Sequence, residues 1–219
     1  LLAVEGCPVA GDALDSVFMS SRLNRGFGAQ TKYRLPMSDN IMTMPITIMD
    51  RLNKPSQIVH LKERETYEFI KQVRKCALRS EDKEAIDRLF VLLEDQQIFA
   101  FFEEIEKTKK NLSSRSTSAF KFDYPDLETA EVFSSVEFEG WASKVKGEIV
   151  SALDRCLAQA GLADSQIEHV FLTGGTAHVP FIQKEFTQRF GSEKMQTKNF
   201  FHSILSGLIE SAKSWDELK

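Results

Sequence analysis

Residues 172–180 read LTGGTAHVP, and this stretch decides the fold class. Apolar residues precede the two glycines, so residues 168–173 predict a β-strand. Pro180 suits the first position of a helix because its missing N–H needs no partner there, and Gly191 is a typical helix stop. We therefore predict a strand, a glycine turn and a helix over 180–190, a unit that brings backbone close to a nucleotide. A tight turn that needs positive φ is the alternative explanation for an isolated Gly-Gly.

The composition is that of a chain with a sizeable core. With 42% hydrophobic and 27% charged residues, 219 residues allow one or two domains. The net charge of −4 argues against a nucleic-acid partner, and no apolar run approaches the roughly 20 residues of a membrane helix. Three cysteines without C-x-x-C spacing (Cys7, Cys76 and Cys156) favour a reducing compartment, and we expect a cytoplasmic protein without a membrane partner.

The first half of the chain divides by its hydrophobic periodicity. Residues 1–4 predict a strand, and residues 14–23 predict an amphipathic helix. Residues 25–56 contain three prolines and predict irregular structure. Residues 57–78 and 82–112 predict two long helices, the second with an apolar stripe that is typical of core packing.

The second half alternates between strands and helices. Residues 118–122 and 130–133 predict a pair of strands, and apolar residues over 138–157 predict one helix that stops at Gly161. A last helix is predicted near 202–213. This alternation predicts an α/β fold in which the two ends of the chain share one sheet. The middle of the chain then forms an inserted subdomain. The first residue, Leu1, lies in an apolar stretch and is not methionine, so we expect a fragment of a longer protein.

Two further segments carry chemistry-bearing residues. Residues 106–114 read EKTKKNLSS and predict a helix end whose lysines suit its negative pole. A solvated lysine-rich helix end is the alternative explanation. Residues 9–15 read VAGDALD, with a glycine and an acid side by side.

In this order the three segments resemble the second lobe of the seventy-kilodalton heat-shock chaperone ATPases, the DnaK family. That family carries Gly-Gly-Glu-Asp-Phe-Asp, then Glu-x-x-Lys-Arg-x-Leu-Ser-Ser, then Val-Gly-Gly-Ser-x-Arg-x-Pro. The resemblance covers most of the chain except roughly residues 25–95, and the divergent middle looks closest to the bacterial YegD-like branch. It implies an actin-like ATPase (ribonuclease H-like) lobe fragment, with residues 1–10 plus 137–219 as the α/β core and 11–136 as an inserted, mostly helical α+β subdomain.

The resemblance also implies an adenosine site for ATP or ADP. The glycine turn would pass under the adenosine, with Gly174, Gly175 and Thr176 in contact and His178 where the family stacks an arginine on the adenine. From the inserted subdomain, Lys109, Lys110 and Ser113 would close over the adenine, and Glu106 matches the acid one turn earlier. Gly11, with Asp12, matches the turn at which the inserted subdomain departs.

Several positions depart from the family pattern and put nucleotide affinity in question. His178 and Lys110 each replace a family arginine. The imidazole of His178 can still stack but carries full charge only below about pH 6.5, whereas Lys110 loses the planar stacking group. Ala10 stands where a glycine is expected, and Phe201 stands where an Asn-Pro-Asp segment would place its acid. The other histidines have no partner pattern that indicates a metal or catalysis (His60, His169 and His202).

The phosphate-binding signatures of actin-like ATPases, Asp-x-Gly-Thr and Asp-x-Gly-Gly-Gly-Thr, do not occur in the sequence. Since phosphoryl transfer depends on such positioning, we expect no catalytic residue and no metal ligand here, with Mg²⁺ held by the rest of an ATP-hydrolysing, stress-response parent chaperone. The implied partners are the N-terminal lobe of the same parent and, beyond it, co-chaperones or nucleotide-exchange factors. A non-hydrolysing actin-like scaffold that works through protein contacts is the alternative. An acetate-kinase-like or sugar-kinase enzyme is a third interpretation, disfavoured by the Leu-Ser-Ser context.

Overall fold

The computed structural model describes residues 1–9, 11–196, 209 and 211–213. The chain divides into two compact units. The first unit combines Leu1–Gly11 with Lys144–Lys219, and the second unit is Asp12–Ser143. The helix predicted near 202–213 lies mostly outside the described residues, as does Phe201.

The second unit contains six helices and two antiparallel strand pairs among its described elements. The helices are α1 (Gly11–Ser21), α2 (Ile46–Leu52), α3 (Arg64–Cys76), α4 (Ser80–Glu94), α5 (Ile98–Leu112) and α6 (Ser135–Trp141), of which α1 begins one residue before the unit. The strands are β1 (Lys32–Tyr33), β2 (Met42–Thr43), β3 (Thr117–Phe122) and β4 (Thr129–Ser134), paired β1 with β2 and β3 with β4.

The β3–β4 hairpin confirms the predicted strand pair over 118–122 and 130–133. Ser118, Phe120 and Phe122 are buried and alternate with exposed residues, as expected for a strand with one face on a core. Asp126 has a φ of 60° in the connecting turn, a conformation that Asp tolerates better than most residues.

Aromatic rings fill the space between α1, α5, α6 and this hairpin. The Phe18 ring lies 5.3 Å from Phe133 and 4.8 Å from Phe138, centroid to centroid. Phe101 of α5 packs edge-on against Phe120 of β3 at 5.1 Å. Such pairs add roughly 0.5–1.5 kcal/mol beyond the area that they bury, so they fix α1 and α5 against one sheet face.

The single helix predicted over 82–112 is wrong, because the chain forms two helices there. Helix α4 ends at Glu94 and α5 begins at Ile98. Gln96 between them has a φ of 56°, which an α-helix cannot accommodate. The apolar stripe continues on both sides of the break, and no glycine or proline signals it. The helix predicted over 57–78 also divides, into a 3₁₀ segment at Pro55–Leu61 and α3.

The irregular structure predicted for residues 25–56 is wrong in part. The segment contains the β1–β2 ribbon and the short helix α2. Two of its three prolines mark boundaries, since Pro45 directly precedes α2 and Pro55 opens the 3₁₀ segment. Both positions suit a residue without an N–H.

The first unit contains helices α7 (Ser143–Ala160) and α8 (Pro180–Phe190), where α7 begins one residue before the unit. Strands β5 (Val170–Phe171) and β6 (Met195–Gln196) pair in parallel. The helix boundaries at Pro180, Gly161 and Gly191 are confirmed, and both glycines have positive φ. The helix predicted over 138–157 is interrupted, because α6 ends at Trp141 and α7 begins at Ser143.

Two strand predictions in this unit are corrected. Residues 1–4 form no strand, and Leu1, Leu2 and Val4 are exposed. The strand predicted over 168–173 is only the two residues of β5. A strand needs a hydrogen-bonded neighbour, and among the described residues β5 finds one only in β6. The sheet expected to join both chain ends is therefore not formed by the described residues.

No helix in the described part of the chain combines the length and the apolar character that crossing a membrane requires.

Candidate functional site

The glycine turn leads from β5 into α8. Gly174 has φ 87° and ψ 171°, a region that only glycine occupies readily. Residues Gly175–His178 then form one 3₁₀ turn, in which the Ala177 N–H donates to the Gly174 carbonyl oxygen at 3.1 Å. The conformational need for glycine thus lies at Gly174, because the φ of Gly175 is not left-handed.

Open space lies above both glycines. A Cβ atom placed on Gly174 or Gly175 would meet no atom of the described chain within 4 Å. Both residues are exposed, whereas Ala177 and Val179 are buried beneath the turn. Gly175 is therefore free of steric and conformational constraint within the described chain, which leaves room for a ligand beside its backbone.

Helix α8 holds the turn from below. Val179 is extended and Pro180 takes the first helical position, so the backbone passes directly from the 3₁₀ turn at Gly175–His178 into α8. Phe181 and Ile182 are buried in the first turn of α8. The Gln183 side-chain amide donates to the Ala177 carbonyl oxygen at 2.6 Å.

Arg189 fastens the other end of α8. Its guanidinium donates two hydrogen bonds to the carboxylate of Asp164, at 2.9 and 3.0 Å, and lies 2.6 Å from the Asp154 carboxylate of α7. The hydrogen bond with Asp164 is the main cause that raises the pKa of Arg189. A planar guanidinium shared by two carboxylates gives α8 a fixed position on α7.

The C-terminal end of α5 carries the second group of predicted site residues. The Lys109 ammonium lies 2.7 Å from Asp15 Oδ1 of α1, and each side chain is only 14% exposed. Burial is the largest influence on Asp15 and raises the pKa of its carboxyl, which Lys109 offsets only in part. The lysine-rich pattern allowed Lys109 to be a solvated side chain at a helix end. In the structure it is instead one half of a mostly buried ion pair.

Lys110 behaves differently from its neighbour. Its ammonium lies 2.9 Å from Glu106 Oε1, and the two side chains are 68% and 49% exposed. The hydrogen bond from Lys110 lowers the pKa of Glu106. The Ser113 hydroxyl donates to the backbone carbonyl oxygen of Lys109 at 3.3 Å. Glu106, Lys110 and Ser113 therefore remain accessible at the end of α5.

A cavity of about 190 Å³ opens between α1, the 3₁₀ segment at Pro55–Leu61 and α5. Four carboxylates and two aromatic rings line it, with a proline (Asp12, Asp15, Glu103, Glu106, Phe99, Phe102 and Pro55). Carboxylates repel phosphate but accept hydrogen bonds from hydroxyl and amino groups. The cavity suits the neutral part of a nucleotide better than its phosphates.

The structure thus places the predicted residues in two groups, each considered within its own unit. Gly174, Gly175, Thr176 and His178 are contiguous in one turn, and Gly11 is the first residue of α1. The four residues of the second group share the last turns of α5 (Glu106, Lys109, Lys110 and Ser113, its C-cap). Among the residues that the structure describes, no group of three or more His, Cys, Asp or Glu side chains could hold a metal ion.

Sequence reasoning missed Asp15 as a site residue. The only signal in the sequence that pointed to Asp15 was its position at the end of the segment 9–15. In the structure this position lies one turn into helix α1, which starts at Gly11. Its contact with Lys109 joins α1 to α5, and no spacing rule within one helix reports such a contact.

Comparison with known proteins decides the family. The family described as "Hsp70 protein" matches residues 77–207, which is more than half of the chain. This chain belongs to the Hsp70 family. The Hsp70 match includes the segments 106–114 and 172–180 but not 9–15. It also begins at residue 77, so the divergent part ends earlier than the predicted 25–95.

Individual Hsp70 relatives match about half of the chain. A mitochondrial-type heat shock protein 70 of Encephalitozoon cuniculi is 33% identical over 112 residues, which are 48% of this chain and 19% of that protein. A heat shock protein homolog of Lachancea kluyveri is 27% identical over 104 residues, 47% of this chain and 15% of that protein. A heat shock protein homolog of Saccharomyces cerevisiae is 28% identical over 104 residues, with the same shares. The matches thus span less than a quarter of these relatives. Placement in the YegD-like branch stays a prediction.

Proposed function

We propose that this chain is the C-terminal nucleotide-binding lobe of a heat-shock-type chaperone ATPase and forms the adenosine side of its ATP/ADP cleft. The observation that carries the proposal is the glycine turn, in which Gly174 takes a conformation reserved for glycine and Gly175 leaves open space beside the backbone. The turn lies inside the region that matches the Hsp70 family.

We also propose that the two units are the subdomains of this lobe. Leu1–Gly11 with Lys144–Lys219 would be the α/β core, and Asp12–Ser143 the inserted subdomain. Each carries one group of the candidate adenosine contacts, the glycine turn in the first and the end of α5 in the second.

The residues fit adenosine better than they fit phosphate. A Cβ on Gly175 would fill the space that a base or ribose needs, and the cavity beside α5 is acidic. Bound ATP would supply the γ-phosphate whose loss drives the chaperone cycle. This chain's residues would bind and orient the adenosine, with His178 beside the base, while Mg²⁺ and the water-positioning groups would belong to the rest of the protein.

The remaining assignments are proposals by resemblance. We propose a stress-response chaperone of the cytoplasm, in the YegD-like branch, that works with the N-terminal lobe of its own chain. Co-chaperones or nucleotide-exchange factors are the proposed external partners, by resemblance to the Hsp70 family.

One observation favours the alternative of a scaffold without nucleotide. Large apolar side chains are exposed between the end of β1 and the first residue of α2. Met37 is fully exposed, and Ile41 and Ile46 are mostly exposed. A short segment with several exposed large apolar side chains is a candidate for protein contact. A scaffold would use this segment and bind no nucleotide.

One variant in each unit tests the adenosine assignment in the full-length protein. We expect Gly175→Val and Ser113→Ala each to lower the affinities for ATP and for ADP by the same factor, because both nucleotides contain the adenosine. For Gly175→Val the loss is at least tenfold, about 1.4 kcal/mol. Lys107→Ala is the control, since Lys107 is exposed on the same helix as Ser113 and pairs with Glu104.

Equilibrium titration with a fluorescent ADP analogue, followed by competition with ATP, measures these affinities. Unchanged affinities in folded Gly175→Val and Ser113→Ala proteins would remove the assignment. If only the affinity for ATP falls, the two residues would contact the γ-phosphate and not the adenosine.

A further inference from the structure

We infer that Asp15 is the positioning residue that holds Lys109 for nucleotide binding, an inference that rests on the proposed function. The two side chains form an ion pair of 2.7 Å across α1 and α5, and each is 14% exposed. Asp15 thereby gives the end of α5 a fixed ammonium group.

The contrast with Lys110 shows what the pairing changes. Lys110 pairs with Glu106 on its own helix and is 68% exposed, and such an exposed pair restrains a side chain only weakly. Lys109 reaches a different helix, and its side chain is mostly enclosed. Of two adjacent lysines, the structure immobilises only one.

An immobilised lysine binds a ligand at a lower entropic cost. A free lysine side chain loses much rotamer freedom when a ligand orders it, whereas Lys109 is already ordered by Asp15. An ammonium group has three N–H donors. Because Lys109 pairs with a single oxygen of Asp15, Oδ1, N–H donors of its ammonium group remain for a ligand at the end of α5.

Asp15 also lies next to the residues that are proposed to contact the nucleotide. It lines the acidic cavity of about 190 Å³ together with Glu106, one of the candidate adenosine contacts. Asp15, the partner of Lys109, therefore lines the cavity that suits the neutral part of a nucleotide. Asp15 itself need not touch the nucleotide, because its effect passes through Lys109.

A double-mutant cycle on ADP binding tests this role in the full-length protein. Asp15→Asn keeps the side-chain shape but removes the charge that holds Lys109. We expect it to weaken ADP three- to tenfold, where tenfold is about 1.4 kcal/mol. The variant Asp15→Asn/Lys109→Ala should bind ADP no more weakly than Lys109→Ala alone. Glu104→Gln is the control, because it removes a carboxylate of the same helix that pairs with Lys107 and not with Lys109.

Each outcome decides a different point, provided that affinities are measured below the unfolding transition of every variant. If Asp15→Asn lowers the melting temperature but leaves the ADP affinity within twofold, Asp15 has a purely structural role and the inference is overturned. Additive losses in the double variant overturn it as well, since Asp15 would then act independently of Lys109. Absence of ADP binding in the unmodified protein overturns the proposed function and the inference with it.

Discussion

The side-chain amide of Gln183 donates a hydrogen bond to the carbonyl oxygen of Ala177 at 2.6 Å. It thereby joins the first turn of α8 to the 3₁₀ turn that follows the two glycines. This bond and the buried Ala177 therefore help to fix where the glycine backbone lies.

Removal of this bond should loosen the turn. Gln183→Ala leaves the Ala177 carbonyl without its side-chain donor, so we expect the free energy of unfolding to fall by about 1 kcal/mol. Gln188→Ala, on an exposed position of the same helix, should change it by less than about 0.5 kcal/mol. Denaturant unfolding gives both values, and hydrogen exchange should show faster exchange at residues 175–178 in Gln183→Ala only. Equal effects of the two variants would contradict the anchoring role.

The two glycines should differ in their tolerance of alanine. Gly174→Ala forces a side chain into φ 87°, ψ 171°, so we expect a loss of about 1–3 kcal/mol in unfolding free energy. Gly175→Ala meets open space at an ordinary φ and should stay within about 0.5 kcal/mol of the unmodified chain. Thermal unfolding of the 219-residue chain compares them. The reverse order would show that the turn has a different backbone conformation.

Lys109 and Lys110 should contribute unequally to stability. Lys109→Ala leaves the enclosed Asp15 carboxylate without its cation, so we expect a loss of about 1–3 kcal/mol. Lys110→Ala breaks only an exposed pair within one helix, worth about 0.3–0.5 kcal/mol. Urea unfolding at neutral pH tests the difference. Losses of similar size would mean that the Asp15–Lys109 pair is open in solution.

The tyrosines should titrate above their usual range. Burial and a hydrogen bond to Glu94 raise the pKa of Tyr67 to about 12. Burial also raises the pKa of Tyr33, and a hydrogen bond to Asp95 raises that of Tyr124. A raised pKa stabilises the fold below the unfolded value of 10.0, and this stabilisation is lost as the pH rises through about 12.

Tyrosinate absorbance of the chain and of its Tyr67→Phe variant, followed as a function of pH, measures this shift. The component that Tyr67→Phe removes should have a midpoint near 12. A midpoint near the ordinary value of 10 would mean that the Tyr67–Glu94 contact does not persist in solution.

Where local chemistry decides the structure, the sequence was a sufficient guide. The alternation centred on Phe120 and Phe122 predicted β3. Pro180 and Gly191 delimit α8 because one lacks an N–H and the other accepts positive φ. The same reasoning located the glycine turn, although it did not show that the strained residue is Gly174 and not Gly175.

Non-local and unusual features could not be predicted in this way. Gln96 breaks the helical run between α4 and α5 with a positive φ that its residue type does not signal. Residues 1–4 are apolar but find no strand partner among the described residues, so hydrophobicity alone misassigned them. The Asp15–Lys109 pair depends on how α1 packs against α5, which no local pattern contains.

Calorimetric titration of ADP into the unmodified full-length protein tests the central claim most directly. If the chain is the adenosine side of an ATP/ADP cleft, ADP should bind with a saturable heat and one site per chain, and ATP should compete for that site. No heat and no competition at millimolar ADP would contradict nucleotide binding and leave the scaffold function in its place.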